Sequence, residues 1–220
     1  KFISSFGNPR KSNEPLEQKH KDISRALQEV VEEKVIELLT MLNKEFDSEK
    51  NLCLSGGFFM NSVLNGKIRK STSFNDPFLG STPDDTGVAL GSAILSLRKM
   101  NMAKTKKQIH SFFGPKYGND EIIHELEVSK IKFEEILNPE EDAAKLLSEG
   151  KIIGWFQGRS ELGQRALGNR SILASPTFEW MKDHINKFIK FREEFRPFAP
   201  SILDEKKIEY FDMNSNDEVF

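Results

Sequence analysis

An α/β or α+β fold is what the sequence predicts, on three observations. Short apolar runs of strand length alternate with longer stretches of helical periodicity in both halves of the chain. Glycines and prolines punctuate the joins between them. A polar, lysine-bearing stretch near the middle, with Lys104, Lys106 and Lys107, separates two glycine-rich motif regions, so we expect two domains, 1–104 and 105–220.

Each element is read in turn. Residues 8–20 are polar and loop-like, with Pro9 and Pro15. Ile23, Leu27, Val30, Val31, Leu38 and Leu42 then recur at helical spacing among Glu and Lys, which predicts a long amphipathic helix with one buried face. Asn51 to Ser55 is a short apolar run that ends in Gly56-Gly57 and reads as a strand feeding a tight turn. A second strand is expected over 74–79 and a helix from Thr86 to Lys99, closed by Arg98 and Lys99, which suit its C-terminal dipole. Residues 100–108 read as a linker. Asn138-Pro139-Glu140-Glu141 is a helix start, with Asn as N-cap and Pro at the first helical position, and Gly150 is its terminator. Lys151 to Gln157 reads as a buried strand. Ser175-Pro176 opens a last helix running to about Phe188.

Composition narrows the function classes. Of 220 residues, 37% are hydrophobic and 30% charged, the balance of an ordinary globular protein, and the formal net charge is −2. No global basic field draws the chain to nucleic acid or membrane, and no apolar run is long enough to span a bilayer. The single cysteine, Cys53, allows no disulfide within one chain and points to a reducing compartment, hence a cytoplasmic protein. The chain opens on Lys1 without a secretory apolar region, and reads as a piece of a longer protein. A homodimer is one assembly the sequence allows.

Two constellations carry chemistry. In the first, Gly56 and Gly57 follow a strand and Asn61 follows them. Glycines there let backbone N–H groups approach a phosphate or nucleotide, which Asn61 could also bind. By themselves these glycines also read as a plain turn, and Asp85, just ahead of a helix, as its cap. The second runs from Gly154 to Pro200. Five of the chain's nine arginines, Arg159, Arg165, Arg170, Arg192 and Arg196, fall between positions 159 and 196. Arginine forks bind phosphate and carboxylate through paired hydrogen bonds, and Gly158, Gly163 and Gly168 between them admit a ligand to the backbone. The plainer reading is a solvated loop with ion pairs to Glu161, Glu193 and Glu194. Phe191, Phe195 and Phe198 read as core or pocket-wall residues, against a nucleic-acid surface.

Taken together, the motifs resemble a known family. A strand, Gly-Gly-x-x-x-Asn, then Asp-Thr-Gly before a small-residue helix is similar to the second lobe of actin-like ATPases. "LCLSGGFFMNSVLNGKI" and "DDTGVALGSAI" resemble more closely the NodU-type O-carbamoyltransferases, with Ser55 in place of the usual Ala and Phe58-Phe59 in place of smaller residues. "GWFQGRSELGQRALGNRSILASP" and "IKFREEFRPFAPSIL" resemble that family's C-terminal signature, with Gln164 in place of Pro and Lys187 where Arg is common. The resemblance covers residues 7 to 204.

It implies an actin-like lobe followed by a YrdC-like domain, both incomplete here, and a two-step reaction. ATP with Mg and carbamoyl phosphate would give carbamoyl-adenylate, whose carbamoyl group passes to a hydroxyl of an acceptor such as a sugar or an antibiotic-like molecule. Arg165, Lys190 and Arg196 would neutralise the two anions, supported by Arg159, Arg170, Ser171 and Arg192. Gly56, Gly57 and Asn61 would line the nucleotide side of the transfer site, and Asp85 would ligate iron or a similar divalent metal. Lys190 and Arg192 are expected to alternate along a strand, so that Lys190 shares a face with Arg196 and the Gly163 and Gly168 turns bring Arg165 over it. Two other readings stand beside this one: threonylcarbamoyl transfer in tRNA modification, from which the "GRxELGxRALGNRS" run distinguishes the chain, and a non-catalytic nucleotide-binding module. The piece alone, without the family's His-x-x-x-His motif, is expected to be inactive.

Overall fold

A computed structural model describes residues 1–11, 13–74, 77–102 and 110–212. The chain divides into two compact units, Lys1–Ser96 and Leu97–Phe220. Most of the expected linker, and the boundary at 104, lie outside the described residues.

The first unit is a small strand–helix–strand arrangement laid against one long helix. After a short helix α1 (Phe2–Phe6), α2 runs Gln18–Glu45. Strand β1 (Cys53–Leu54) leads through a 3-10 turn (Gly57–Met60) into α3 (Ser62–Ser71), and β2 (Phe78–Leu79) returns parallel to β1, pairing Cys53 with Phe78 and Leu54 with Leu79. Helix α4 follows as Gly87–Lys99. Leu39, Leu54, Leu64, Ile68 and Phe74 form the core, with Val31, Val35 and Leu42 packed against it. Leu64 and Ile68, one helical turn apart, are fully buried, and truncating either to Ala would cost about 2–5 kcal/mol.

The buried face of α2 differs from the expected one. Val31, Val35, Leu39 and Leu42 turn inward, whereas Leu27, Val30 and Leu38 are exposed. The apolar residues of α2 form two stripes rather than one, and α3 selects the 31–35–39–42 stripe. Residues 18–20, expected as loop, are its first turn. The His20 N–H donates to Glu17 O at 3.1 Å, and the Glu17 N–H donates to His20 Nδ1 at 3.0 Å.

In the second unit, helices α5 (Asn119–Val128) and α6 (Pro139–Ser148) precede an antiparallel pair, β3 (Ile153–Phe156) with β4 (Arg170–Leu173). Helix α6 ends as the glycine predicts. Gly150 has φ 78°, its N–H donates to Leu147 O, and the Lys151 N–H donates to Leu146 O. The fold is therefore mixed: a parallel pair with a crossover helix in one unit, an antiparallel pair with flanking helices in the other.

The last helix begins later than Ser175-Pro176. A turn intervenes, in which Ser175 Oγ lies 2.8 Å from Thr177 Oγ1, and α7 spans only Met181–His184. It widens at once into a π-helical turn, Ile185–Ile189, closed by the Lys190 N–H on Ile185 O at 2.8 Å. A second correction concerns the strand expected through Lys190 and Arg192, which is not formed. Lys190 has helical dihedrals, Phe191 takes φ 47°, and Arg192 donates its N–H back to Asn186 O. The strand parity that was to join Lys190 with Arg196 therefore does not operate. A 3-10 turn (Asp204–Lys206) and α8 (Lys207–Tyr210) end the described chain.

Candidate functional site

The first unit places its motif loops at the carboxyl ends of two parallel strands, where open α/β sheets bind ligands. Gly56, separated from the end of β1 by Ser55, holds φ 103°, and its N–H donates to Pro83 O at 2.6 Å. No heavy atom lies within 4 Å of where a side chain on Gly56 would begin, so its backbone is open. A Cβ on Gly57 would meet Asp84 Cβ at 3.9 Å. The Gly56-Gly57 turn and the Pro83–Asp85 segment, some 27 residues apart in sequence, are thus one feature.

Asn61 caps α3 by accepting the Leu64 N–H at 3.1 Å and pairs amide to amide with Gln28 of α2, at 2.9 and 3.2 Å. Gln28 donates to the buried Glu32, which forms an ion pair with Lys67. The Lys67 ammonium, then the Gln28 amide, hold the Glu32 carboxyl below its ordinary range despite burial. Gln28, Glu32 and Lys67 gave no signal in the sequence beyond ordinary helix polarity.

Asp85 lies on the loop between β2 and α4 and is exposed. Its backbone carbonyl accepts the Val88 N–H at 3.2 Å, and Asp84 takes the Thr86 hydroxyl. Among the described residues no three His, Cys, Asp or Glu side chains gather about a common point. The loop's own carboxylates are too few for a transition-metal site.

In the second unit a buried carboxylate organises the arginine loop. Glu161, 5% exposed, sits inside the 157–169 connection between β3 and β4. Its Oε1 accepts the N–H of Leu167 (2.7 Å) and of Asn169 (2.8 Å), while Oε2 accepts Arg170 Nε at 3.1 Å. Burial alone would push the carboxyl up. The two backbone N–H groups and the guanidinium outweigh it and hold the carboxyl below the usual range. The Arg170 fork continues to Gly163 O and Arg165 O. Arg170 thus cross-links its own loop. Ser171 faces Trp155 across the strand pair and accepts the Gly168 N–H at 3.0 Å. Arg159 donates to Gly114 O at 2.9 Å, and its backbone bridges to Lys116. Gly158, Gly163 and Gly168 all take positive φ, at 55°, 93° and 110°, so the loop closes tightly around Glu161.

Arg165 stands at the crest of this loop, exposed and without a side-chain partner among the described residues. Lys190 is likewise exposed and unpartnered among them. Arg196 lies beyond the bend after Phe191, with Nε 3.9 Å from Glu193 Oε2. No described hydrogen bond or ion pair joins Arg165 to Lys190 or Arg196. Arg192 is held by Asn186 Oδ1 at 2.7 Å and stacks on Phe198 at 4.8 Å. Phe191 and Phe195, expected in a pocket wall, are 83% and 61% exposed. The arrangement offers oxyanions a rigid, glycine-closed loop and a bend rich in cations.

The two motif regions, one in each unit, are those of a transferase. Two family models match: Carbamoyltransferase N-terminus over residues 1–94 and Carbamoyltransferase C-terminus over residues 144–220. The chain belongs to the carbamoyltransferase family. It is 38% identical over 215 residues to Nodulation protein NolNO of Sinorhizobium fredii, covering 96% of this chain and 32% of that protein. To Nodulation protein NolO of Bradyrhizobium diazoefficiens it is 39% identical over 209 residues (93% and 38%). To Nodulation protein U of Azorhizobium caulinodans it is 36% identical over 168 residues (76% and 28%). The chain spans about a third of the length of these relatives. No described helix is long and apolar enough to cross a membrane.

Proposed function

We propose that the protein carrying this chain is an O-carbamoyltransferase of the NodU type, with an actin-like lobe within 1–104 and a YrdC-like domain from 105. Water first cleaves carbamoyl phosphate to carbamate and phosphate; a carbamate oxygen then attacks the α-phosphorus of Mg-ATP, pyrophosphate leaves, and carbamoyl-adenylate forms, in a cytoplasmic setting. An acceptor hydroxyl then attacks the carbamoyl carbon, AMP departs, and the hydroxyl proton is released. Iron or a similar metal at Asp85 would need ligands beyond this loop.

The observation that carries the reading is the Glu161 frame. It uses Arg170 to fix the loop and leaves the Arg165 guanidinium outward for an anion. Holding a rigid cation where charge develops is the arrangement that stabilises phosphoryl-transfer transition states. Arg165, Lys190 and Arg196 are assigned that role, and Arg159, Ser171 and Arg192 shape the loop and bend around them. Gly56, Gly57 and Asn61 shape the transfer side.

The test is carbamoyl-phosphate-dependent pyrophosphate release from ATP by the intact protein. Arg165→Ala and Arg196→Ala should each lower the rate by about 10²–10³, the usual cost of losing one transition-state donor, without a change in fold. Near wild-type rates in both would overturn the assignment.

A further inference from the structure

One side chain that no sequence pattern singled out controls the cation-bearing bend. Asn186 lies in the π-helical turn Ile185–Ile189 and is fully buried. Its Nδ2 donates to two backbone carbonyls, Glu194 O at 3.2 Å and Arg196 O at 2.9 Å. Its Oδ1 accepts Arg192 Nε at 2.7 Å, and its own carbonyl accepts the Arg192 N–H at 2.9 Å. Both amide protons and the amide oxygen are therefore matched. A buried amide is costly unless matched in this way, so a primary amide suits this position and an apolar side chain does not.

The bend thus tied carries Lys190, Arg192 and Arg196 within seven residues. Phe191, at φ 47°, reverses the chain in the left-handed region, a strained setting for a residue with a side chain. The bonds from Asn186 to positions 192, 194 and 196 hold that reversal in place. Glu193 and Glu194 share the bend with these cations, and Arg196 Nε lies 3.9 Å from Glu193 Oε2, so it is the Asn186 bonds to the backbone that fix where each cation stands. A π-helical turn is itself a feature often found at functional sites, since it displaces the following residues from helical register.

We infer that Asn186 is a positioning residue that presets the Lys190–Arg196 bend to receive a phosphate-bearing substrate. The inference rests on the proposed function for the ligand, and on the bend's geometry for the mechanism. Asn186 need touch no substrate; it acts through Arg196 and Arg192. Asn186→Asp isolates the effect. It keeps the shape and the acceptor for Arg192, but the ionised carboxylate has no donor for the two carbonyls.

The experiment measures carbamoyl phosphate affinity by titration calorimetry on the intact protein, in a cycle of Asn186→Asp, Arg196→Ala and the double variant. Asn186→Asp should weaken binding tenfold or more. In the Arg196→Ala background the same change should weaken it by less than a further twofold, because residues that act through one another are not additive. Unchanged affinity in Asn186→Asp overturns the inference, and so does a full tenfold loss repeated in the Arg196→Ala background, which marks a merely structural residue. Should Asn186→Asp fail to fold, Asn186→Ser, which keeps one donor, replaces it with the same expected pattern. If the wild type binds no carbamoyl phosphate, the proposed function falls instead. Backbone hydrogen exchange then decides: faster exchange confined to 190–196 in Asn186→Asp supports positioning, and unchanged exchange there overturns it.

Discussion

Replacing Glu161 by Gln removes one charge while keeping the side chain's size. The carboxylate serves three donors: two backbone N–H groups on Oε1 and the Arg170 guanidinium on Oε2. A carboxamide has one acceptor oxygen. If that oxygen faces Leu167 and Asn169, its NH₂ faces the Arg170 N–H, and two donors confront each other. Turned the other way, it abandons both backbone groups. A lost hydrogen bond to a charged group costs about 1.5–3 kcal/mol. Arg170 is about a third exposed and can regain water, so the lower part of that range applies, about 1–2 kcal/mol in all. Both tryptophans, Trp155 and Trp180, lie in the second unit, so intrinsic fluorescence during urea unfolding follows that unit alone. With a urea slope of about 1–3 kcal/mol/M, the midpoint should fall by roughly 0.3–2 M.

The pH dependence of Glu161→Gln has a definite sign. Glu161 is held below its ordinary value in the folded state, so its contribution is present above the unfolded carboxylate pKa, about 4.3. It is lost as pH falls through the folded value. The gap between wild type and Glu161→Gln should therefore be full at pH 7 and close in acid. A variant with the wild-type midpoint at pH 7 would refute the reasoning that Glu161 frames the loop.

Two further outcomes follow from the packing. Gly114→Ala should detach the 110–116 segment from the arginine loop, because the added Cβ would lie 2.7 Å from Ser160 O and closer still to Ser160 Oγ. Loss of hydrogen-exchange protection at Gly114 and Leu162, whose N–H groups donate to Ser160 O and Ser111 O, checks it, and retained protection counts against it. Lys67→Met should destabilise the first unit by leaving Glu32 buried without its cation. Lys67 lowers the Glu32 pKa, so its stabilising effect is present above the unfolded carboxylate pKa and lost in acid. Thermal unfolding followed by circular dichroism should show a loss at pH 7 that shrinks once the pH falls below the unfolded carboxylate value; a pH-independent loss would point to packing alone.

The sequence by itself determined the alternation of strands and helices, the Gly150 terminator and the two motif regions. These are written in local chemistry: dihedral freedom, capping and periodicity act within a few residues. It also identified the family, because its motifs are long runs of side chains in fixed order. Which apolar stripe of α2 is buried was decided only by the tertiary structure. Leu27 and Leu38 are as hydrophobic as Val35 and Leu39, and contact with α3 chooses between them. The same holds for the cations. Five arginines in one region are legible as anion chemistry, but Arg170 is spent on Glu161 and the loop carbonyls, and Arg192 on Asn186 and Phe198. A strand parity rule failed at Lys190 because a buried amide four positions earlier bends the chain there. Long-range hydrogen bonds of this kind leave no period in the sequence, and they decide which cations, such as Arg170 and Arg192, are tied into the fold.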